Sequence, residues 1–168
     1  MDAHADIARI VEQEKALVFD RFDEAAAFEI GSLIRARGVA EGLAVVCSIL
    51  TWDRPLFYMA LPGTTGDNWD WVRRKANSVR RFHKSTYRMV LEQLPRTERL
   101  WPDSRALPAE DYVLAGGGFP VSVRGAGVIG AVVVSGLPER GDHGMVVDAL
   151  CDVLGQDKAA LGLPQERK

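Results

Sequence analysis

RGAGVIGAVVVSG, residues Arg124–Gly136, holds a complete G-x-G-x-x-G in Gly125, Gly127 and Gly130. A dinucleotide-binding turn needs a strand before such glycines and a helix after them, because the pyrophosphate docks on that helix's N-terminus. Gly130 is instead followed by AVVVSG. Consecutive valines are stiff at χ1 and suit a pleated strand. The stretch therefore reads as a glycine hairpin turn at 125–127, with Gly130 as a bulge or a point of close packing. That removes the dinucleotide reading and sets two strands, 119–125 and 127–136, side by side.

Outward from this hairpin, Glu139–Leu154 reads as a closing helix with Met145, Val146, Ala149, Leu150 and Val153 as its buried stripe. Upstream, LAVVCSIL (43–50) is a near-continuous apolar run, expected of a strand covered on both faces. TWDRP turns the chain, and LFYMAL (56–61) returns as a second hairpin strand. A loop over 62–66 follows, with Asp67 or Asn68 placed to cap a long helix. In it Trp69, Val72, Ala76, Val79 and Phe82 recur at helical spacing. The pattern continues past a break near Ser85 to Leu94, and Pro95 ends it. Residues 95–108, with Pro95, Pro102 and Pro108, read as a surface excursion.

At the N-terminal end, Asp6 is expected to cap a helix carrying Ile7, Ile10 and Val11, and ALVFDRF (16–22) to form a short strand. Asp23 then caps a helix with Phe28, Ile30, Leu33 and Ile34 facing the core and Gly38 at its end. The order is α-β-α-β-β-α-β-β-α. Adjacent strands come as hairpins, which predicts one α+β domain over residues 1–168. Its sheet is expected to be five-stranded and antiparallel, with helices on both faces.

Composition narrows the function classes. A chain of 168 residues with 47% hydrophobic and 26% charged residues is ordinary for a globular protein. The net charge is −2, so no global field draws the protein to nucleic acid or to an anionic membrane. MDAHADIARIVEQEK lacks an apolar signal core, and no apolar run approaches the ~18 residues of a membrane span. A cytoplasmic protein is expected. Cys47 and Cys151 read as small buried hydrophobes. His4, His83 and His143 have no metal-ligand spacing, so no metal site is expected. Ser135, Asp142 and His143 contain the letters of a triad. Ser135, however, is not in a nucleophile elbow, and adjacent Asp and His on one helix do not meet in the required geometry.

LPGTTGDN (61–68), WVRRK (71–75), GGGFPVSVRG (116–125) and GVIGAVVVSGLPERGDH (127–143) together resemble the haem-degrading-domain family of GlcG/HbpS-like proteins. The resemblance covers roughly residues 16–155. It implies a profilin-like fold with a five-stranded antiparallel sheet, and homo-oligomers from dimers to larger rings. It also makes haem the leading named ligand, without implying one settled activity.

The residues themselves suggest where a ligand could sit. Gly116, Gly117 and Gly118, before Phe119 and Pro120, either turn several N–H groups toward an anion or simply lead tightly into the strand. Arg73, Arg74 and Lys75 open a basic run in which Arg73, Arg80 and Lys84 share a helix face. Such a face can meet carboxylates, another subunit or only water. Trp71 falls off the apolar stripe, which suits a subunit interface or a pocket mouth. Asp142 is placed to cap the last helix, with His143 facing outward or toward a neighbouring loop. The candidate ligand site is therefore Gly117, Gly118, Phe119, Trp71, Arg73, Arg74, Lys75, Asp142 and His143, with His143 or His83 as an axial ligand if the ligand is haem. Two other readings stand beside it. One is an assembly or partner-binding module without chemistry. The other is a small-molecule enzyme working across a subunit boundary through Asp142 and His143. Paired carboxylates and cofactor motifs are absent from the sequence, so no reaction is specified.

Overall fold

A computed structural model describes residues 2–94 and 101–164. The elements are α1 (Ala3–Ala16), β1 (Val18–Phe19), α2 (Glu24–Ala40), β2 (Val46–Thr51), β3 (Pro55–Ala60), α3 (Gly66–Phe82), α4 (Thr86–Glu92), a 3-10 turn (Asp103–Arg105), β4 (Gly118–Val123), β5 (Gly127–Ser135), α5 (Glu139–Leu154) and α6 (Lys158–Leu161). The strands lie in the order β1-β4-β5-β2-β3.

The three valines decide the architecture as expected. β5 pairs antiparallel with β2 on one side and β4 on the other, and alternation sends its side chains to both faces. Val132 and Val134 join Cys47, Ile49 and Phe119 in the core beneath α2 and α5. Val133 and Ala131 join Val46, Val72, Ala76 and Val79 beneath α3. Each fully buried valine of this kind contributes about 1.5–3 kcal/mol. Polar replacements on either face would be costly, which is why the run is unbroken.

Gly125 and Gly127 take φ values of 78° at the hairpin turn. Gly130 serves close approach: a Cβ there would lie 2.1 Å from the Leu50 carbonyl oxygen. The β4–β5 ladder slips beside it, leaving Ile129 as an extra residue on β5.

One expectation fails in the sheet, which is mixed rather than purely antiparallel. β1 pairs parallel with β4, Val18 opposite Ser122 and Phe19 opposite Val123. β1 is flanked by helices, so no hairpin turn fixes its direction. It is also two residues long, not the seven of ALVFDRF.

Caps shift similarly. Asp2, not Asp6, caps α1, through His4 N and Ala5 N. Asp6 is buried and accepts from Arg140 of α5. Asp23 caps α2 as expected. α2, however, passes through Gly38, which is glycine because Leu61 would sit 2.5 Å from a Cβ. Ile30 and Ile34 face the core as expected and Leu33 packs partly against it, but Phe28 is two-thirds exposed, and Ala27 and Gly31 are buried on that face in its place. Thr65 holds the α3 cap position, and the Asn68 side chain returns to its N–H at 2.9 Å. α5 spans the expected Glu139–Leu154, although Val153 is only half-buried. α4 stops at Glu92, before Leu94. The expected helix stop at Pro95 and the first part of the 95–108 excursion lie outside the described residues. The described remainder packs inward at Trp101, which is buried and stacks on Phe82 with ring centroids 4.5 Å apart.

Candidate functional site

The structure divides the nine sequence-predicted site residues into an interior cluster and a surface group. At the centre of the interior cluster, Lys75 Nζ donates to Asp142 Oδ2 at 3.0 Å and to the Val134 carbonyl at 2.9 Å. Asp142 Oδ1 accepts from Leu137 N at 2.9 Å, bracing the turn into α5. Burial pushes the Asp142 carboxyl above its usual range, against the opposing pull of the Lys75 ammonium and the Leu137 amide. Helical spacing placed Lys75 in a basic run, but its position beside Ala76 on α3 turns it inward.

The glycine loop closes over this pair. Gly117 has φ 115°, and a Cβ on it would lie 2.4 Å from Val134 O and 2.8 Å from Asp142 Cβ. Its neighbours' amides are occupied. Gly116 N donates to Glu139 Oε1 at 3.3 Å and Gly118 N to Thr86 Oγ1 at 2.9 Å. An open anion nest is therefore not what the glycines build. They let a strand-leading loop pass between α3 and α5.

His143 does not face outward. It is 1% exposed, between Tyr87 and Phe119, whose rings lie 5.4 and 5.8 Å from its own. Gln13 Nε2 donates to Leu161 O at 2.7 Å, so Gln13 Oε1 is the acceptor left for His143 Nε2 at 2.8 Å. The imidazole is thus the Nε2–H tautomer. Burial, helped by the Arg140 charge, depresses its pKa to about 3. Nδ1 has no partner.

The surface group lies on α3. Trp71 Nε1 donates to Asp67 Oδ2 at 3.0 Å, and the Arg74 guanidinium stands 4.5 Å from the Trp71 ring centre. Arg73 reaches Asp111 at 3.0 Å and the Glu110 carbonyl. Trp69 leaves the buried stripe: it is 44% exposed and meets Tyr58 edge-on at 5.4 Å.

Arg73 also borders a cleft of about 220 Å³ between α3 and the end of the β2–β3 hairpin, with Ser48, Leu50, Trp52, Trp69 and Asn77 among its walls. Trp52, which no motif or period in the sequence singles out, stands in the cleft wall. β5 positions it: Ile129 O accepts from Trp52 N at 3.2 Å and Val128 O from Trp52 Nε1 at 3.1 Å. The bulge in β5 thus anchors an indole at the cleft wall. The Arg80 guanidinium lies over that indole, 5.8 Å from the ring centre. Two further cavities of about 290 Å³ run along α5, sharing Arg37, Met145 and Asp148 in their walls. No group of three or more metal-ligating side chains occurs among the described residues.

A family model, the haem degrading protein HbpS-like family, matches residues 22–151. The chain belongs to the HbpS-like family. A UPF0303 protein of Mesorhizobium japonicum is 62% identical over 161 residues, 96% of each chain. A UPF0303 protein of Brucella anthropi is 55% identical, covering 97% of this chain and 96% of its own. Among solved structures, the Ybr137w protein superposes with a TM-score of 0.81 at 22% identity over 92% of each chain. A PduOC:Heme complex superposes at 0.64 and 16% identity, covering 87% of this chain and 99% of its own. These structural likenesses carry the fold. The HbpS-like fold expected from the sequence is the fold observed, with the parallel β1 as its correction. No helix among the described residues is long and apolar enough to cross a membrane.

For haem, the interior fails the fit. His143 Nε2 carries a proton and is engaged by Gln13, and Nδ1 is buried. Neither nitrogen is open to an incoming iron, because the whole side chain is buried.

Proposed function

We propose that the protein is a self-associating small-ligand binder whose ligand is planar and anionic, taken in the Trp52 cleft and not at His143. The observation that carries this reading is the cleft's composition: two indoles and apolar residues from β2 and α3 line it together with Arg54 and Arg73, and its one carboxylate, Asp53, is already paired with Arg54. Aromatic walls hold a planar ring, and arginine forks meet carboxylates. Both arginines already pair with surface carboxylates. Exposed pairs of this kind are worth ~0–1 kcal/mol, so a ligand carboxylate can replace one at little cost.

Haem, named in the family description and in the PduOC:Heme complex, is the first ligand to test. A cleft of about 220 Å³ is smaller than the ~300–1,000 Å³ that buries a drug-sized molecule. One subunit therefore takes one edge of a tetrapyrrole, and a second copy must cover the remainder. The cleft walls contain no histidine, so the grip on haem is through ring and carboxylates and not through the iron.

The test is a hemin titration with native mass spectrometry of protein from its own host. A saturable Soret shift is expected, weakened at least ~10-fold by Trp52→Ala or Arg73→Gln and unchanged by His143→Gln. A featureless, non-saturating titration together with no retained small molecule overturns the reading.

A further inference from the structure

Four of the five most exposed large apolar side chains among the described residues lie on one strand or on the helices beside it. Phe28 (66% exposed) and Val39 (56%) lie on α2, Tyr58 (51%) on β3 and Trp69 (44%) on α3. Phe28 packs edge-on against Phe57 on one sheet face, and Trp69 against Tyr58 on the other. The strand between them, β3, is at the edge of the sheet. Natural edges are guarded by charges, prolines or bulges. Here Pro55 and the slip at Leu56 blunt only the first residues, and Phe57–Ala60 carries no charge.

We propose that β3 pairs antiparallel with β3 of a second copy, making one continuous sheet and covering the apolar band on both faces. The proposal deepens the self-association described above and rests on it. A bound peptide would occupy the edge but leave Phe28 and Trp69 bare; a whole subunit covers both.

Charge placement selects a second copy. α2 runs alongside β3 in the same direction, Gly31 against Phe57 and Gly38 against Leu61. Glu24, Phe28, Ser32, Arg35 and Val39 follow at intervals of 4, 4, 3 and 4, so they form one stripe of α2. Pairing β3 about a twofold axis perpendicular to the sheet sets the two α2 helices antiparallel on the same face. α2 lies over both β3 and its neighbour β2, so a twofold axis midway between strands ~4.8 Å apart sets the two helices at about the 8–10 Å of packed helices. The acidic end of one stripe then meets the basic end of the other. Arg35 is exposed and has no partner among the described residues, whereas Glu24 and Asp53 at the opposite end share the single Arg54. Each stripe thus complements its own inverted copy, which is the requirement of an isologous interface. Trp69 belongs both to this band and to the Trp52 cleft, so the second copy forms part of the cleft's rim.

Analytical ultracentrifugation of the full chain at ~10–100 µM tests this interface. The wild type is expected as a dimer or an even multiple. Tyr58→Lys and Arg35→Glu are expected to raise the dimer dissociation constant at least ~10-fold, and Glu24→Arg/Arg35→Glu to return it to within ~3-fold of wild type. Both single sites are exposed, and unchanged far- and near-UV circular dichroism establishes that the variants are folded. A monomeric wild type overturns this interface and self-association together. An assembly whose mass neither single variant moves overturns the β3 interface and leaves self-association standing. A double variant as weak as Arg35→Glu overturns the antiparallel arrangement.

Discussion

Lys75 Nζ and Asp142 Oδ2 lie 3.0 Å apart with both side chains at most 4% exposed, joining α3 to the first turns of α5 at the end of β5. Sixty-seven positions separate the two residues in sequence. Their contact, sealed by Gly117, converts what reads as a ligand-binding set into a structural joint.

Breaking that joint from one side is costly, because a buried charge left without its partner loses both Coulomb energy and solvation. Asp142→Asn is expected to destabilise the protein by about 3–5 kcal/mol in urea unfolding. Lys75→Met/Asp142→Leu, which removes both charges, is expected to recover most of that loss. A cost below ~1 kcal/mol for Asp142→Asn would show that the pair is not a joint.

The buried histidine gives the fold an acid sensitivity with a defined sign. Folded His143 stays neutral down to about pH 3, whereas in the unfolded chain it titrates near 6.5. Between those values the unfolded state binds more protons. Its contribution to stability is complete above about pH 6.5 and falls by up to about 1.4 kcal/mol for each pH unit below. Urea midpoints at pH 7 and 4.5 measure the slope, and His143→Gln should flatten it relative to wild type.

Two glycine substitutions should act in opposite directions. Gly117→Ala places a methyl group against Val134 O at a φ of 115° and is expected to cost more than ~2 kcal/mol. Gly144 sits inside α5 with nothing within 4 Å of a Cβ, so Gly144→Ala should stabilise by about 0.5–1 kcal/mol. Thermal melts compare the two directly.

Both thiols should be silent in the native protein. Burial alone pushes Cys47 far above its ordinary range, and burial followed by the nearby Asp148 and Asp152 charges pushes Cys151 up to about 11. A thiol reagent at pH 8 is expected to modify neither until urea is added, whereupon both react. Rapid labelling of Cys47 in the folded state would contradict the packing of β2.

Much of the scaffold was legible from the sequence because it rests on local rules. Three successive valines after Gly130 make a strand, Asp23 marks a helix start, and 3.6-residue spacing places Val72, Ala76 and Val79 inward. Hairpin turns give neighbouring strands their direction. The same rules could not orient β1, which has no hairpin partner, nor separate a glycine that ends a helix from Gly38, which admits Leu61.

The residues of the candidate site show the same boundary. Lysine, aspartate, histidine and a glycine loop have the same letters whether they hold a ligand or each other. Only the packing of α3 and α5 against β5 showed that Lys75 and Asp142 pair with each other in the interior and that His143 is buried there with Nε2 on Gln13. Trp52 gave no periodic signal, because its place depends on carbonyls more than seventy residues away at a bulge in β5. Sequence by itself determined the strands, most helices and the family, since backbone preference and apolar period are properties of neighbours along the chain. Which polar groups remain available for a ligand was decided by tertiary structure alone, since solvent exposure and hydrogen-bond partnership depend on contacts between segments far apart in the chain.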